Sequence, residues 1–204
     1  MQRAKLLFSR IIVIIFVNMI ILKLLVFAIP ATLAAVLHMV VVKFNLLGKL
    51  KYPLDFNLTY NGKRIFGDSK TFRGLFAMVI LSILSSYFLY WLTITFDTIA
   101  ELNIIDFVAT SPLIIGVAFG LGYVLAELPN SFVKRQLEIE EGKRGNVLNI
   151  IIDQIDSPIG CMLAIIPFSR MSISFFLTGV VFFLFLHMFI NVMLYLAGLR
   201  KNPL

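Results

Sequence analysis

The sequence predicts an all-α integral membrane protein with about five transmembrane helices and two long cytoplasmic polar loops. Of its 204 residues, 60% are hydrophobic and only 14% are charged. A soluble domain of this length has too much surface to bury such a share of apolar side chains. Apolar segments of about 20 residues, the length that crosses a bilayer as a helix, recur along the chain. We therefore expect one membrane domain that comprises residues 1–204.

The five spans are predicted at residues 17–41, 75–96, 108–128, 147–168 and 173–197. The first apolar run, Ile11 to Val42, is overlong for one simple span and short for two. We interpret it as one tilted helix in which Pro30 is tolerated as a kink. An interfacial segment before it would contain Arg3, Lys5 and Arg10.

The distribution of cations predicts the orientation, because lysine and arginine concentrate on the cytoplasmic side of membrane proteins. The polar loops 42–74 and 129–146 and the C-terminal tail hold most of the 18 lysines and arginines. We therefore expect a multi-pass protein of the cell membrane with an external N-terminus and a cytoplasmic C-terminus. The net charge of +7 is attributed to this topology and to anionic ligands, and nucleic acid is not an expected partner.

The first polar loop contains a glycine-rich basic segment, PLDFNLTYNGKRIFGDSKTFRG, from Pro53 to Gly74. Turns at glycine expose backbone donors, and side-chain cations beside them attract phosphates. On composition alone, the simpler interpretation is a basic loop that contacts anionic lipid headgroups. The cations of the segment are Lys63, Arg64, Lys70 and Arg73.

The third span ends in a carboxylate that is followed by two cations. Glu127 is costly at the edge of a bilayer unless it is paired or functional. Lys134 and Arg135 follow about two turns later if the helix resumes after Pro129. Cations near the end of a span often extend toward water, and this snorkelling is the alternative interpretation.

Two aspartates in an otherwise apolar helix give the most specific signal. Asp153 and Asp156 are three residues apart and therefore share a helical face. Two ionised carboxylates so close repel each other unless a cation lies between them or one is protonated. Mg²⁺ suits such oxygen ligands and also binds substrate phosphates. Ion pairs with Lys134, Arg135 or Arg144 are the alternative.

Taken together, the three segments resemble the CDP-archaeol synthase family, part of the wider class of phosphatidate cytidylyltransferases. The matching motifs are PLDF and NGKRIFGDSKTFRG after the first span, SFVKR after the third, and DQID in the fourth. The resemblance covers about residue 30 to the C-terminus. It implies that CTP and a membrane lipid phosphate react to give a CDP-lipid and pyrophosphate, with Mg²⁺ at a cytoplasmic active site.

Seven residues match the family pattern by position, namely Lys70, Thr71, Arg73, Lys134, Arg135, Asp153 and Asp156. Together with neighbouring polar residues, they have the following expected roles. Lys134, Arg135, Asp153 and Asp156 would be catalytic. Glu127, Asp153 and Asp156 would bind the metal. The substrate-binding residues would be Lys63, Arg64, Gly67, Lys70, Thr71, Arg73 and Ser131. Two positions depart from the family pattern, because Asn61 and Glu127 stand where aspartate is usual.

Two other functions are compatible with the same segments. A CTP-dependent lipid kinase would transfer a phosphoryl group to a polyprenol or phytol. A transporter or scaffold would use the acidic residues as an ion pathway, although the polar segments cluster on one side of the membrane. The sequence leaves open whether the lipid chains are isoprenoid ethers or acyl esters, and whether the protein forms a homo-oligomer.

Overall fold

The computed structural model describes residues 2–143, 145–200 and 202–203, with side chains from residue 18 onward. Five of the described helices are long and apolar enough to cross a membrane, which confirms the predicted all-α membrane fold. They are α1 (Gln2–Lys43), α2 (Phe72–Thr95), α4 (Pro112–Gln136), α5 (Val147–Ile165) and α6 (Ile173–Leu196). A short helix, α3 (Asp97–Leu102), follows α2, and single 3₁₀ turns occupy Gly48–Leu50 and Ile166–Phe168.

The first helix is longer than predicted. Its backbone is helical from Gln2 to Lys43, so residues 2–17 continue the same helix instead of forming a separate segment. The part suited to cross the membrane is Asn18–Lys43, close to the predicted span. Pro30 lies inside this helix and is buried. The side chains of Arg3, Lys5 and Arg10, and all of Arg144 and Lys201, lie outside the described residues.

The predicted boundary of the second polar loop is wrong. Helix α4 continues through Pro129 to Gln136, so the connection to α5 is only residues 137–146. Proline removes one backbone donor from a helix, and packed neighbours in a membrane bundle tolerate that loss. The first loop is also shorter than predicted, since Thr71 caps α2 by accepting a hydrogen bond from the Gly74 amide at 3.2 Å.

The first loop contains a small hairpin that the all-α prediction did not include. Strands β1 (Thr59–Tyr60) and β2 (Lys63–Arg64) pair in antiparallel register. Asn61 and Gly62 form the turn with φ angles of 49° and 75°. Asparagine and aspartate both tolerate the left-handed region, so the turn accommodates either residue at position 61 and requires no carboxylate there.

Helix α4 occupies the centre of the bundle between α2 and α5. Phe27 of α1 anchors the core, with its ring centroid 5.4 Å from Phe119, 5.7 Å from Phe175 and 6.0 Å from Phe183. These contacts join α1, α4 and α6. At the end of the bundle opposite the polar loops, Ile105 pairs with Ser169 in an isolated β-bridge, which connects the segments before α4 and α6.

Two glycines allow α4 and α5 to approach closely. A Cβ atom added to Gly160 would lie 2.2 Å from the carbonyl oxygen of Gly122, and one added to Gly122 would lie 2.6 Å from the carbonyl oxygen of Gly160. Small residues bring helix backbones together in this way in membrane proteins. The contact lies one to two turns from the acidic residues of both helices, so it sets the distance between them.

We expect Gly160→Val to destabilise the protein, because the new side chain forces α4 and α5 apart. Overpacking a well-packed contact costs about 1–3 kcal/mol. The measurement is the thermal unfolding midpoint in detergent. Leu163→Phe, an enlargement at a side chain of α5 that is 54% exposed, is the control and leaves the midpoint unchanged. Equal midpoints for both variants would contradict the close-contact interpretation.

Candidate active site

The polar residues of α4 and α5 meet on facing sides of the two helices. Glu127, Asn130 and Lys134 follow one another at spacings of three and four residues, which places them on one face of α4. Asp153 and Asp156 lie on the facing side of α5. The continuation of α4 through Pro129 is essential for this arrangement, since a helix that ended at residue 128 would leave Lys134 in a loop.

Asn130 bridges the two aspartates. Its side-chain nitrogen donates to Asp153 Oδ1 at 2.7 Å and to Asp156 Oδ2 at 2.8 Å. Lys134 forms an ion pair with Asp153, which is one of the ion pairs considered as alternatives in the sequence analysis. Asp156 also accepts a hydrogen bond from the backbone amide of Ser157 at 2.6 Å. The amide bridge and the ammonium together offset the repulsion between the two carboxylates.

A second ion pair joins the first polar loop to α4. Lys70 binds Glu127, whose other oxygen accepts a hydrogen bond from the Ser157 hydroxyl at 2.8 Å. Burial lowers the pKa of Lys70, but the adjacent Glu127 carboxylate outweighs that effect and holds the pKa above its ordinary value. Lys70 therefore remains a cation at neutral pH, and its ion pair with Glu127 joins the loop to α4.

These groups line a cavity of about 670 Å³ at the end of the bundle where the polar loops lie. Its wall contains eight of the residues that the sequence singled out, drawn from the first loop, α4 and α5. They are Lys70, Thr71, Glu127, Ser131, Lys134, Arg135, Asp153 and Asp156. The structure thus brings together the three polar segments of the sequence.

Four other predicted binding residues lie outside the cavity wall. Lys63 donates a hydrogen bond to the Gln136 carbonyl at 2.7 Å and forms an ion pair with Glu138. Arg64 forms ion pairs with Asp55 and Asp68. Arg73 donates a hydrogen bond to the Asn45 side chain at 2.9 Å. Gly67 is buried in a turn with φ of 90°. Lys63 thus holds the first loop against the end of α4, and Arg64 links residues within the loop. Direct contact with substrate stays a prediction for all four.

Asp55 organises that loop. It is only 3% exposed and accepts hydrogen bonds from the Arg64 guanidinium and from the backbone amides of Asn57, Phe66 and Gly67. Although burial raises the pKa of Asp55, these donors outweigh it and lower the pKa to about 2. The carboxylate is thus the centre around which the loop folds.

The acidic residues partly fit a metal ion. Asp153 and Asp156 each direct one oxygen at the same Asn130 nitrogen, so two hard oxygen ligands already converge. Glu127 instead contacts Lys70 and Ser157. Among the described residues, no three histidine, cysteine, aspartate or glutamate side chains form a group ready for a metal. Magnesium at this site stays a prediction, and the two aspartates are its best-placed ligands.

Three residues that organise the site are not singled out by the sequence motifs. Asn130 and Ser157 have no charge, so nothing in composition marks them, although Asn130 lies three residues after Glu127 and four before Lys134. In the sequence, Asp55 is marked only by its place in the PLDF motif. Its burial in a polar loop follows from contacts with residues up to 12 positions away along the chain, which no local pattern reveals.

The fold and the cavity define a multi-pass membrane protein with a polar site of paired carboxylates and cations at one end of its helix bundle. This chain belongs to the CDP-archaeol synthase family, because the family model described as CarS-like CDP-archaeol synthase matches residues 16–204. The family predicted from the sequence motifs is therefore confirmed.

Individual relatives agree with this assignment. The CDP-archaeol synthase of Sulfolobus acidocaldarius is 31% identical over 153 residues, which cover 74% of this chain and 82% of the relative. The CDP-archaeol synthase of Methanosarcina barkeri is 31% identical over 160 residues, which cover 74% of this chain and 89% of the relative. The chain therefore matches most of each relative's length.

A solved structure has a similar fold. It is described as "Structural insight into an intramembrane enzyme for archaeal membrane lipids biosynthesis", and it superposes with a TM-score of 0.59 at 22% sequence identity. The match covers 82% of this chain and 91% of the other. This likeness supports the five-span architecture.

We expect Asp55→Asn to loosen the first loop, because it removes a buried charge that pairs with Arg64 and accepts three backbone donors. Hydrogen bonds to a charged group are worth about 1.5–3 kcal/mol. Hydrogen exchange at Phe66 and Gly67 should therefore become about 10- to 100-fold faster in this variant. Asp68→Asn removes the exposed partner of Arg64 and serves as the control, with little change. Equal protection in both variants would contradict the organising role of Asp55.

Proposed function

We propose that this protein is a CTP:lipid-phosphate cytidylyltransferase that forms a CDP-lipid of the archaeol type and releases pyrophosphate. The observation that carries the proposal is the cavity, in which carboxylates and cations of three polar segments meet at the end of a membrane bundle. Its volume of about 670 Å³ lies within the range of small-molecule sites. Membership of the CDP-archaeol synthase family supports this reaction over the lipid kinase and the transporter.

The proposed reaction is a displacement at the α-phosphorus of CTP. An oxygen of the lipid phosphate forms a new bond to the α-phosphorus. The bond from the α-phosphorus to the oxygen shared with the β-phosphorus breaks, and pyrophosphate leaves with that oxygen. The nucleophile is already anionic, so the step requires no strong base. The protein must instead hold two polyanions together and align them, which positioned cations achieve.

Three cations in the cavity wall are placed for that task. Lys134 and Arg135 lie at the end of α4, and Lys70 lies opposite them on the first loop. In the proposal, Lys134 and Arg135 stabilise charge on the departing pyrophosphate or on the lipid phosphate. Ser131 and Thr71, which also line the cavity, contribute hydroxyl groups for the substrate.

The remaining predicted residues act through the loop. Lys63 joins the loop to the end of α4, Arg64 joins two aspartates within the loop, and Arg73 of α2 donates to Asn45 at the start of the loop. Fixing the loop orients Lys70 and Thr71 toward the cavity, which is the usual function of residues that support a site. In this proposal Gly67 supplies the turn that exposes the adjacent backbone amide.

Magnesium is part of the proposal. Asp153 and Asp156 would bind the ion. Glu127 would become a third ligand by exchanging its ion pair with Lys70 for a bond to the metal. When bound, Mg²⁺ neutralises and orients the phosphate oxygens of CTP. Asn130 contacts both aspartates, and Lys134 contacts Asp153.

The proposal predicts that purified protein in detergent transfers label from α-³²P CTP to digeranylgeranylglyceryl phosphate in the presence of Mg²⁺. Phosphatidic acid in parallel tests whether acyl esters are accepted. EDTA should abolish the labelled lipid. Pyrophosphate should appear in equal amount, whereas CDP together with a phosphorylated alcohol would indicate a kinase and contradict the proposal.

Asp156→Asn should lower kcat at least about 100-fold, the typical loss when a group that positions charge in an active site is neutralised. Asp97→Asn, which removes a carboxylate from α3 at the other end of the bundle, is the matched control and keeps full activity. Both variants are first compared with the wild type by size-exclusion chromatography in detergent. Full activity of a folded Asp156→Asn variant would eliminate the role of this carboxylate.

We also propose that the protein lies in the cell membrane with the cavity on the cytoplasmic side. In intact cells, a cysteine at Glu101 should react with a membrane-impermeant maleimide, whereas a cysteine at Glu140 should react only after lysis. Both positions are exposed, and the native Cys161 is buried and serves as a silent background. The reverse pattern of labelling would contradict the proposed orientation.

A further inference from the structure

A carboxylate of the protein, Glu141, lies in the cavity wall beside donors of the kind that bind phosphate. Glu141 lies in the 137–146 connection, and its Oε1 accepts a hydrogen bond from the Asp68 backbone amide at 2.6 Å. The guanidinium of Arg135 is 3.8 Å from the same oxygen. A backbone donor beside an arginine is the combination that binds phosphate oxygens.

The shape of the loop favours this occupant. Gly67, with φ of 90°, presents its backbone so closely that a Cβ atom added there would lie 2.2 Å from Glu141 Oε1. Arg135 has spare capacity as well, because its buried Nε has no hydrogen-bond partner in the described part of the chain. The cradle therefore holds an anion and retains an unused donor beside it.

Glu141 differs in its position from the carboxylates that pair with Lys70 and Lys134. Glu127 and Asp153, which pair with Lys70 and Lys134, are fixed on transmembrane helices. Glu141 is on a connection, its side chain is 34% exposed, and Gly142 follows it with φ of 75°. A polyanionic substrate can displace Glu141 by a local movement of that turn.

We propose that the Asp68 amide and Arg135 form a phosphate subsite, and that Glu141 fills it until a phosphate group of a substrate takes its place. This inference rests on the proposed function for the identity of the substrate. Glu141 contacts neither reacting atom in this view. It is a competing anion that lowers the apparent affinity of the site for phosphate.

The test measures equilibrium binding of CTP and of inorganic pyrophosphate to Glu141→Gln and Glu141→Ala proteins in detergent. If Glu141 fills the subsite about nine-tenths of the time, freeing it raises the apparent affinity about tenfold. Glu140→Gln removes the same charge from the neighbouring position, where the carboxylate pairs with Lys143 and is exposed. Tighter binding in the Glu141 variants but not in Glu140→Gln supports the subsite.

A second arm assigns the source of the phosphate. The KM for the lipid phosphate is measured at saturating CTP, and a fall in that KM alone assigns the subsite to the lipid. Tighter CTP and pyrophosphate binding assigns it to the nucleotide. In an Arg135→Gln background the gain from Glu141→Gln should disappear, because the cation that both anions share is gone.

Unchanged or weaker binding in both arms would overturn the proposal and make Glu141 a structural link between the loops. An equal gain in Glu140→Gln would also overturn it, because the effect would then be general electrostatics. The binding arm requires no turnover. The two proposals can therefore fail separately. If the Glu141→Gln variant binds pyrophosphate more tightly but the wild-type protein forms no CDP-lipid, the proposed function is refuted and the subsite stands.

Discussion

The close contact between α4 and α5 is the constraint on which the site depends. Because Gly122 and Gly160 lack side chains, the two backbones nearly touch, and Asn130 of one helix reaches both aspartates of the other. A wider separation would leave Asp153 and Asp156 without that bridge, at a depth where unpaired charge is costly. The geometry of the site therefore depends on the packing of small residues between a single pair of facing helices.

Electrostatic balance is the second organising feature. Lys70, Lys134 and Arg135 in the cavity wall pair with Glu127, Asp153 and Glu141, so carboxylates of the same chain offset these three charges. Both partners of the Lys134–Asp153 pair lie on transmembrane helices, whereas each of the other two pairs includes one residue of a loop or connection. These cations are also the ones that the proposal assigns to the substrate phosphates, and a buried cation without a partner would destabilise the fold. Asp55 gives the basic loop an anionic centre for the same reason.

Much of the architecture could be predicted from the sequence because apolar length alone identifies a helix that crosses a bilayer. The span at 147–168 agrees with the structure, whereas α4 was predicted to end at residue 128 and continues to Gln136. That error came from Pro129, which breaks helices in water but is tolerated where neighbouring helices pack around it. The hairpin at 59–64 was missed because two-residue strands carry no periodic signal, and the asparagine–glycine turn was the available cue.

By itself the sequence determined the membrane environment, the five spans, the family motifs and the set of charged residues that belong to the polar end of the bundle. These follow from local chemistry, since hydropathy, glycine content and charge are properties of short segments. Only the tertiary structure decided which charges pair. Lys134 binds Asp153, Lys70 binds Glu127, and Glu141 reaches the turn at Gly67 and Asp68. Each pair joins residues at least 19 positions apart, and their distance depends on how the helices and loops pack together rather than on any local pattern.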